Sequence, residues 1–83
     1  MKYVYSVFDK KAGVYCTPFV SHSDATATRD FRQAVNDPST QVCKYASDFE
    51  LFCLGAWDED VGSLQPTASP VFVVNGMSLQ EAS

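Results

Sequence analysis

Two turns of one design fix most of what this chain can become. Phe8-Asp9-x-x-x-Gly13 and Trp57-Asp58-x-x-x-Gly62 place an aromatic residue, an aspartate and a glycine at identical offsets. An aspartate side chain can bond the backbone ahead of it, and glycine accepts the left-handed conformation that closes a short hairpin loop. The flanking residues have strand character. Tyr3 to Phe8 is a run of aromatic and β-branched residues, apolar on both faces and therefore expected to be central. Val14 to Val20 returns from the first turn, with Pro18 placing its far end at an edge or bulge. Phe49 to Trp57 leads into the second turn, with Phe49, Leu51, Cys53 and Trp57 on one face and Phe52 and Leu54 on the other. Ser63 to Gln65 is a short return strand before Pro66. The matched turns reflect internal repetition or one turn solved twice, and three shared positions favour the second reading.

A helix is predicted between the hairpins. Ser23 suits the N-cap, and Asp24 suits the positive end of the helix dipole. Ala27, Phe31, Ala34 and Val35 then form a single apolar stripe. Pro38 stops the helix by disfavouring helical dihedrals at Asp37. Ser39 to Asp48 reads as a short helical turn or as irregular chain anchored by Val42 and Tyr45. The expected fold is α+β, a small antiparallel sheet of four to five strands from two β-hairpins with one helix on one face. The expected organisation is a ββαββ domain over 1–65 and a C-terminal extension over 66–83. Pro66-Thr67-Ala68-Ser69-Pro70 reads as linker, Val71 to Val74 as a short strand, and Met77 to Ser83 as a polar tail docked by Met77 and Leu79. A short apolar strand there can join its own sheet or that of a second subunit, so a homodimer or higher homo-oligomer is expected.

Composition narrows the function. With 83 residues the chain forms one domain, and at 46% hydrophobic it lies outside the disordered regime. Ten carboxylates against six Lys and Arg give a net charge of −4, which argues against indiscriminate coating of nucleic acid and leaves a focused patch as the alternative. Cys16, Cys43 and Cys53 are odd in number and lack C-x-x-C spacing, so neither a disulfide framework nor a zinc site is expected. Met1 to Tyr5 lacks the apolar core of a signal peptide, and no run approaches the ~20 apolar residues of a membrane span. A reducing cytoplasm and no membrane partner are expected.

No catalytic constellation emerges, and the chain is expected not to be an enzyme. His22 is the single histidine and reads as a residue of the helix-capping region. Asp58, Glu59 and Asp60 fit no calcium-loop spacing and read as a solvated acidic turn. No glycine-rich phosphate loop is present, and no metal or cofactor is expected. Lys10 and Lys11 stand at the first hairpin tip, and Tyr3, Tyr5, Phe8 and Tyr15 cluster around that hairpin. Single-strand binders combine such cations, which track phosphates, with aromatic faces on which bases stack. The competing reading makes the aromatics core and the lysines ordinary solubility residues. On the binding reading the phosphate contacts are Lys10, Lys11, Arg29 and Arg32, and the stacking candidates are Tyr3, Tyr5 and Tyr15. The basic and acidic turns are segregated along the chain, which predicts a charge-polar molecule.

The residues Phe8 to Tyr15, Pro18-Phe19-Val20, Phe31 to Pro38, Ser47 to Leu51 and Gly55 to Asp58 together resemble the small nonstructural protein of gokushovirus-type microviruses, the phage ORF5 family. The resemblance covers roughly residues 1–65 and extends to Pro70–Gly76. It implies a bacteriophage protein made in the host bacterial cytoplasm and absent from the finished capsid. It further implies a DNA-binding protein acting in the switch to single-strand synthesis and packaging, with single-stranded DNA as its partner. It assigns no contact residues. The alternative is a protein-interaction factor that redirects a replication or procapsid complex without touching DNA.

Overall fold

A computed structural model describes residues 1–81; residues 82 and 83, the end of the expected polar tail, lie outside the described residues. The strands are β1 (Lys2–Asp9), β2 (Val14–Tyr15), β3 (Phe19–Ser21), β4 (Phe49–Asp58) and β5 (Ser63–Asn75). They form one antiparallel sheet in the order β2-β1-β4-β5, with β3 also paired to β1. Helices α1 (Asp24–Val35) and α2 (Gln41–Lys44), and two 3-10 turns at Ala46–Asp48 and Gly76–Leu79, complete the chain. This is the expected α+β class.

Both turns form by the same chemistry. Gly13 and Gly62 adopt φ of 73° and 68°. Asp9 Oδ1 accepts the backbone N–H groups of Lys11 (3.0 Å) and Ala12 (3.2 Å), and Asp58 Oδ1 accepts that of Asp60 (3.1 Å). Because β1 and β4 are antiparallel, with Lys2 opposite Trp57 and Asp9 opposite Phe49, the two turns point to opposite ends of the sheet. The return from the first turn is split: Cys16 still donates its N–H to the Val7 carbonyl at 2.8 Å, and the ladder then breaks at Thr17 and Pro18, where Pro18 has no N–H to give.

Helix α1 starts where the sequence places it. Ser23 is the N-cap and accepts the Thr26 N–H at 3.2 Å. Ala27, Phe31 and Val35 bury the inner stripe against Tyr5, Phe49 and Leu51, and Ala46 and Leu79 close the core. Asn36 ties the helix end to the C-terminal segment, donating to the Arg32 and Leu79 carbonyls and accepting the Glu81 N–H.

The chain after Gln65 differs from expectation. Pro66 to Pro70 is not a linker, and no break separates an extension from the domain. β5 runs continuously to Asn75, pairing Gly55 with Pro66 and Cys53 with Val71 across a wide bulge. The reason is the edge position, where proline's missing N–H can face outward. Thr67 holds the bulge by donating its hydroxyl to the Leu54 and Ser69 carbonyls at 3.1 and 2.7 Å.

Two buried polar groups give testable consequences. Tyr5 is fully buried and donates its hydroxyl to Asp24 Oδ1 at 2.6 Å. Burial, and then the Asp24 carboxylate, push its phenol well above the ordinary value of 10.0. The folded chain therefore holds this proton more tightly than the unfolded chain. The resulting stabilisation is complete below pH ~10 and is lost as pH rises toward the folded value. Urea midpoints measured above pH 10 are expected to fall, and Tyr5→Phe is expected to flatten that limb. Ser21 Oγ is buried without a hydrogen-bond partner among the described residues. An unpaired buried hydroxyl costs about 1–3 kcal/mol, so Ser21→Ala is expected to leave the urea midpoint unchanged or raise it.

Candidate nucleic-acid interface

Strand alternation divides the sheet into two unlike faces. Tyr5, Phe49 and Leu51 face the helix, together with the partly buried Val7 and Cys53. Phe8 and Phe52 fall on the opposite face, and neither belongs to the core cluster. Register brings Tyr15 beside Phe8, and Phe72 beside Phe52. One ring from each of β2, β1, β4 and β5 thus forms a row across the sheet.

The rings touch one another. Centroid distances are 4.6 Å for Phe8–Tyr15, 6.1 Å for Phe8–Phe52, 5.7 Å for Tyr15–Phe52 and 5.8 Å for Phe52–Phe72. Phe52 is the hub, with the other three rings standing at 75° to 89° to it in edge-to-face contact. Such pairs add about 0.5–1.5 kcal/mol beyond area burial. The row nevertheless stays open to solvent: Tyr15 is 43% and Phe72 53% exposed, and Phe8 and Phe52 are half-buried. Val20, opposite Val4 on the same face, is also exposed. Core formation does not require so many rings on a face that no helix covers.

Charged groups border the row on the side of the first turn. Glu50 lies directly opposite Phe8 and accepts from Asn75 Nδ2 at 3.0 Å, while Lys10 Nζ stands 3.6 Å from its carboxylate. Lys11 is exposed at the same turn. At the far end Lys2 pairs with Glu59 at 3.2 Å, beside the exposed Asp60. The charge polarity predicted from the two turns is largely cancelled: Asp9, Asp48 and Glu50 share the end that holds Lys10 and Lys11, and Lys2 shares the end that holds Glu59 and Asp60.

The seven sequence-predicted contacts do not form one site. Lys10 and Tyr15 lie together at the open face and its adjoining turn, whereas Lys11, at the same turn, borders a helix-side cleft with Gln41, Tyr45 and Phe49. Tyr5 is a correction: it is in the core, its hydroxyl held by Asp24, and its ring has no surface for a base. Tyr3, two residues earlier, falls on the same helix-side face and borders a cleft with Ser23, Asp24 and Val71. Arg29 and Arg32 are exposed on α1, around a shallow cleft with Asn36, Asp37 and Glu81, and the sheet separates them from the aromatic row. His22 is exposed just ahead of the Ser23 cap. Sequence reasoning passed over Phe52 and Phe72. The signal present was Phe52 alternating against the apolar Leu51 and Cys53; Phe72 becomes its neighbour only through register.

The arrangement defines a class: a helix-backed antiparallel sheet whose other face carries an uncovered aromatic row. A family model described as phage ORF5 protein matches residues 2–79. The chain belongs to that family and is a bacteriophage protein. Comparison with curated proteins found no match, and comparison with solved structures found none.

Proposed function

We propose that this is a non-catalytic single-stranded-DNA-binding accessory protein of a small microvirus-type phage. It acts in genome replication or packaging in the host bacterial cytoplasm. The observation that carries this reading is the uncovered row Tyr15, Phe8, Phe52 and Phe72. Every base has a π-face, so aromatic rings bind single strands without needing a particular sequence, whereas a duplex keeps its bases stacked inside. Lys10 adjoins the row, Lys11 stands at the same turn toward the helix side, and both serve as phosphate contacts; Arg29 and Arg32, across the sheet, take no part in the same footprint.

The test is fluorescence anisotropy of labelled oligo-dT at low salt, with a duplex of equal length as comparison. Oligo-dT is expected to bind more tightly than the duplex, with affinity falling as salt rises. Combining Lys10→Ala with Lys11→Ala should shallow the log–log salt slope by about 0.7 per lost phosphate contact. Folded protein that ignores oligo-dT at low salt sinks the reading. Glu50→Gln supplies the opposite sign. It removes a carboxylate from the footprint and releases Lys10, so affinity should rise about two- to fivefold, in line with the worth of a partly exposed ion pair.

A second reading is favoured by the acidic turn. Glu59 and Asp60 are exposed at the end of the sheet away from Lys10 and Lys11. That end suits a protein partner in a replication or procapsid complex. Capture of phage or host proteins from infected cells that survives nuclease treatment and is lost on neutralising Glu59 and Asp60 would support it.

A further inference from the structure

We infer that the Val71–Asn75 segment of β5 pairs with the same segment of a second copy of this chain, joining two sheets so that the aromatic row continues from one copy into the other. The inference rests on the reading of that row as a single-strand site and assigns the site its second half.

The two edges of the sheet are unlike. At one edge β2 and β3 have two and three residues, and Thr17 and Pro18 interrupt them. Short, broken edge strands with proline resist further pairing. At the other edge β5 has 13 residues. Its first half is blunted by Pro66, Pro70 and the wide bulge between them, and a single-residue bulge at Val73 follows, between Phe72 and Val74. The stretch Val71-Phe72-Val73-Val74-Asn75 has no proline and no charge, and among the described residues no strand lies beyond it. Val71 and Phe72 are 51% and 53% exposed. An apolar edge strand that lacks proline and charge is a template for another strand, and native chains rarely leave one bare.

A second copy fits this edge by symmetry. Antiparallel pairing of a strand with itself creates a two-fold axis perpendicular to the sheet, so both open faces look the same way. The segment is uncharged, so copies of a chain of net charge −4 meet there without direct repulsion. A register centred on Phe72 sets Phe72 opposite its own symmetry mate. Phe72 is the outermost ring of the row, and directly opposed residues on one face are close enough to touch. The row of four rings then becomes a row of eight, continuous across both copies. Only a few residue pairs join the copies, so the contact is weak by itself and is reinforced when one strand of DNA spans both halves.

The experiment is sedimentation of the full chain from about 1 to 200 μM, without DNA and with dT8 or dT16. Without DNA the average mass is expected to climb toward twice that of the chain, and dT16 is expected to carry two copies at concentrations where dT8 carries one. Val71→Lys, at an exposed position outside the row, should keep the far-UV spectrum and dT8 affinity while losing both self-association and the advantage of dT16. Amide exchange of residues 71–75 should slow with rising concentration in the unaltered protein, a reading that needs no variant. A chain that stays monomeric with and without dT16 overturns the inference, and its dT8 affinity then shows whether the single-strand reading stands. Dimers that persist in Val71→Lys, with exchange at 71–75 independent of concentration, also overturn it. Dimers with protected residues 71–75 that bind neither oligonucleotide leave the edge pairing in place and remove the single-strand reading.

Discussion

Replacing Phe52 with alanine is expected to weaken oligo-dT binding by about tenfold to a hundredfold while the protein stays folded. Stacking of a base on an aromatic side chain is worth about 1–3 kcal/mol by alanine substitution, and 1.4 kcal/mol is a factor of ten in affinity. Phe52 should stand at the upper end of that range because it is the hub of the row. Phe8, Tyr15 and Phe72 all lean on it, so its removal deletes one ring and frees three others to turn. The fold should tolerate the change, since Phe52 is half-buried and outside the core cluster. Anisotropy titration with dT8, together with a urea midpoint, separates the two effects. Phe72→Ala should lose less affinity, because Phe72 contacts the row only through Phe52. The two losses should not add, as expected of residues in direct contact.

A large effect on stability is expected at Gly76, as at Gly55, where a Cβ would stand 2.5 Å from the Gln65 carbonyl oxygen. A Cβ at the buried Gly76 would stand 2.5 Å from the Ala46 carbonyl oxygen and 3.2 Å from that of Phe49. Both neighbours are backbone and cannot swing aside. Gly76→Ala must therefore lift the Gly76–Leu79 turn away from the Ala46–Asp48 turn, withdrawing Leu79 from the core. The expected loss is about 2–4 kcal/mol, a large share of the ~4–12 kcal/mol available to a domain of this size. Gly13→Ala is the control. Nothing lies within 4 Å of a Cβ there, and only its φ of 73° opposes a side chain, so about 1–2 kcal/mol is expected. Urea denaturation of both variants checks the order, and Gly13 falling below Gly76 would contradict it.

What was legible in the sequence was local. Asp9 and Gly13, or Asp58 and Gly62, act within five consecutive residues, so the turn follows from the residues themselves. The Ser23 cap and the Ala27, Phe31, Val35 stripe likewise need no knowledge of distant chain. What was not legible depends on neighbours far along the sequence. Pro66 and Pro70 signal a linker unless it is known that their strand lies at an edge. Strand β1 is aromatic or β-branched on both faces, so its sequence does not say whether Tyr5 or Phe8 turns toward the helix. The Asp24 carboxylate, waiting at the start of α1 for the Tyr5 hydroxyl, decides it. The row itself is a product of register: Tyr15, Phe8, Phe52 and Phe72 are scattered over 65 positions and meet only because four strands align. Arg29 and Arg32 failed to join Lys10 and Lys11 for the converse reason, since closeness in composition says nothing about which side of a sheet a residue occupies.

The central claim is that the helix-free face of the sheet receives a single strand of DNA. Aromatic NMR resonances followed during titration with dT8 at low salt test it most directly. The account predicts that ring signals of Phe8, Tyr15, Phe52 and Phe72 shift and broaden together, while Tyr5, buried behind the sheet, stays put. Amides of Arg29 and Arg32 on α1 should also hold still. Saturable shifts confined to α1, with the four rings unmoved, would contradict it.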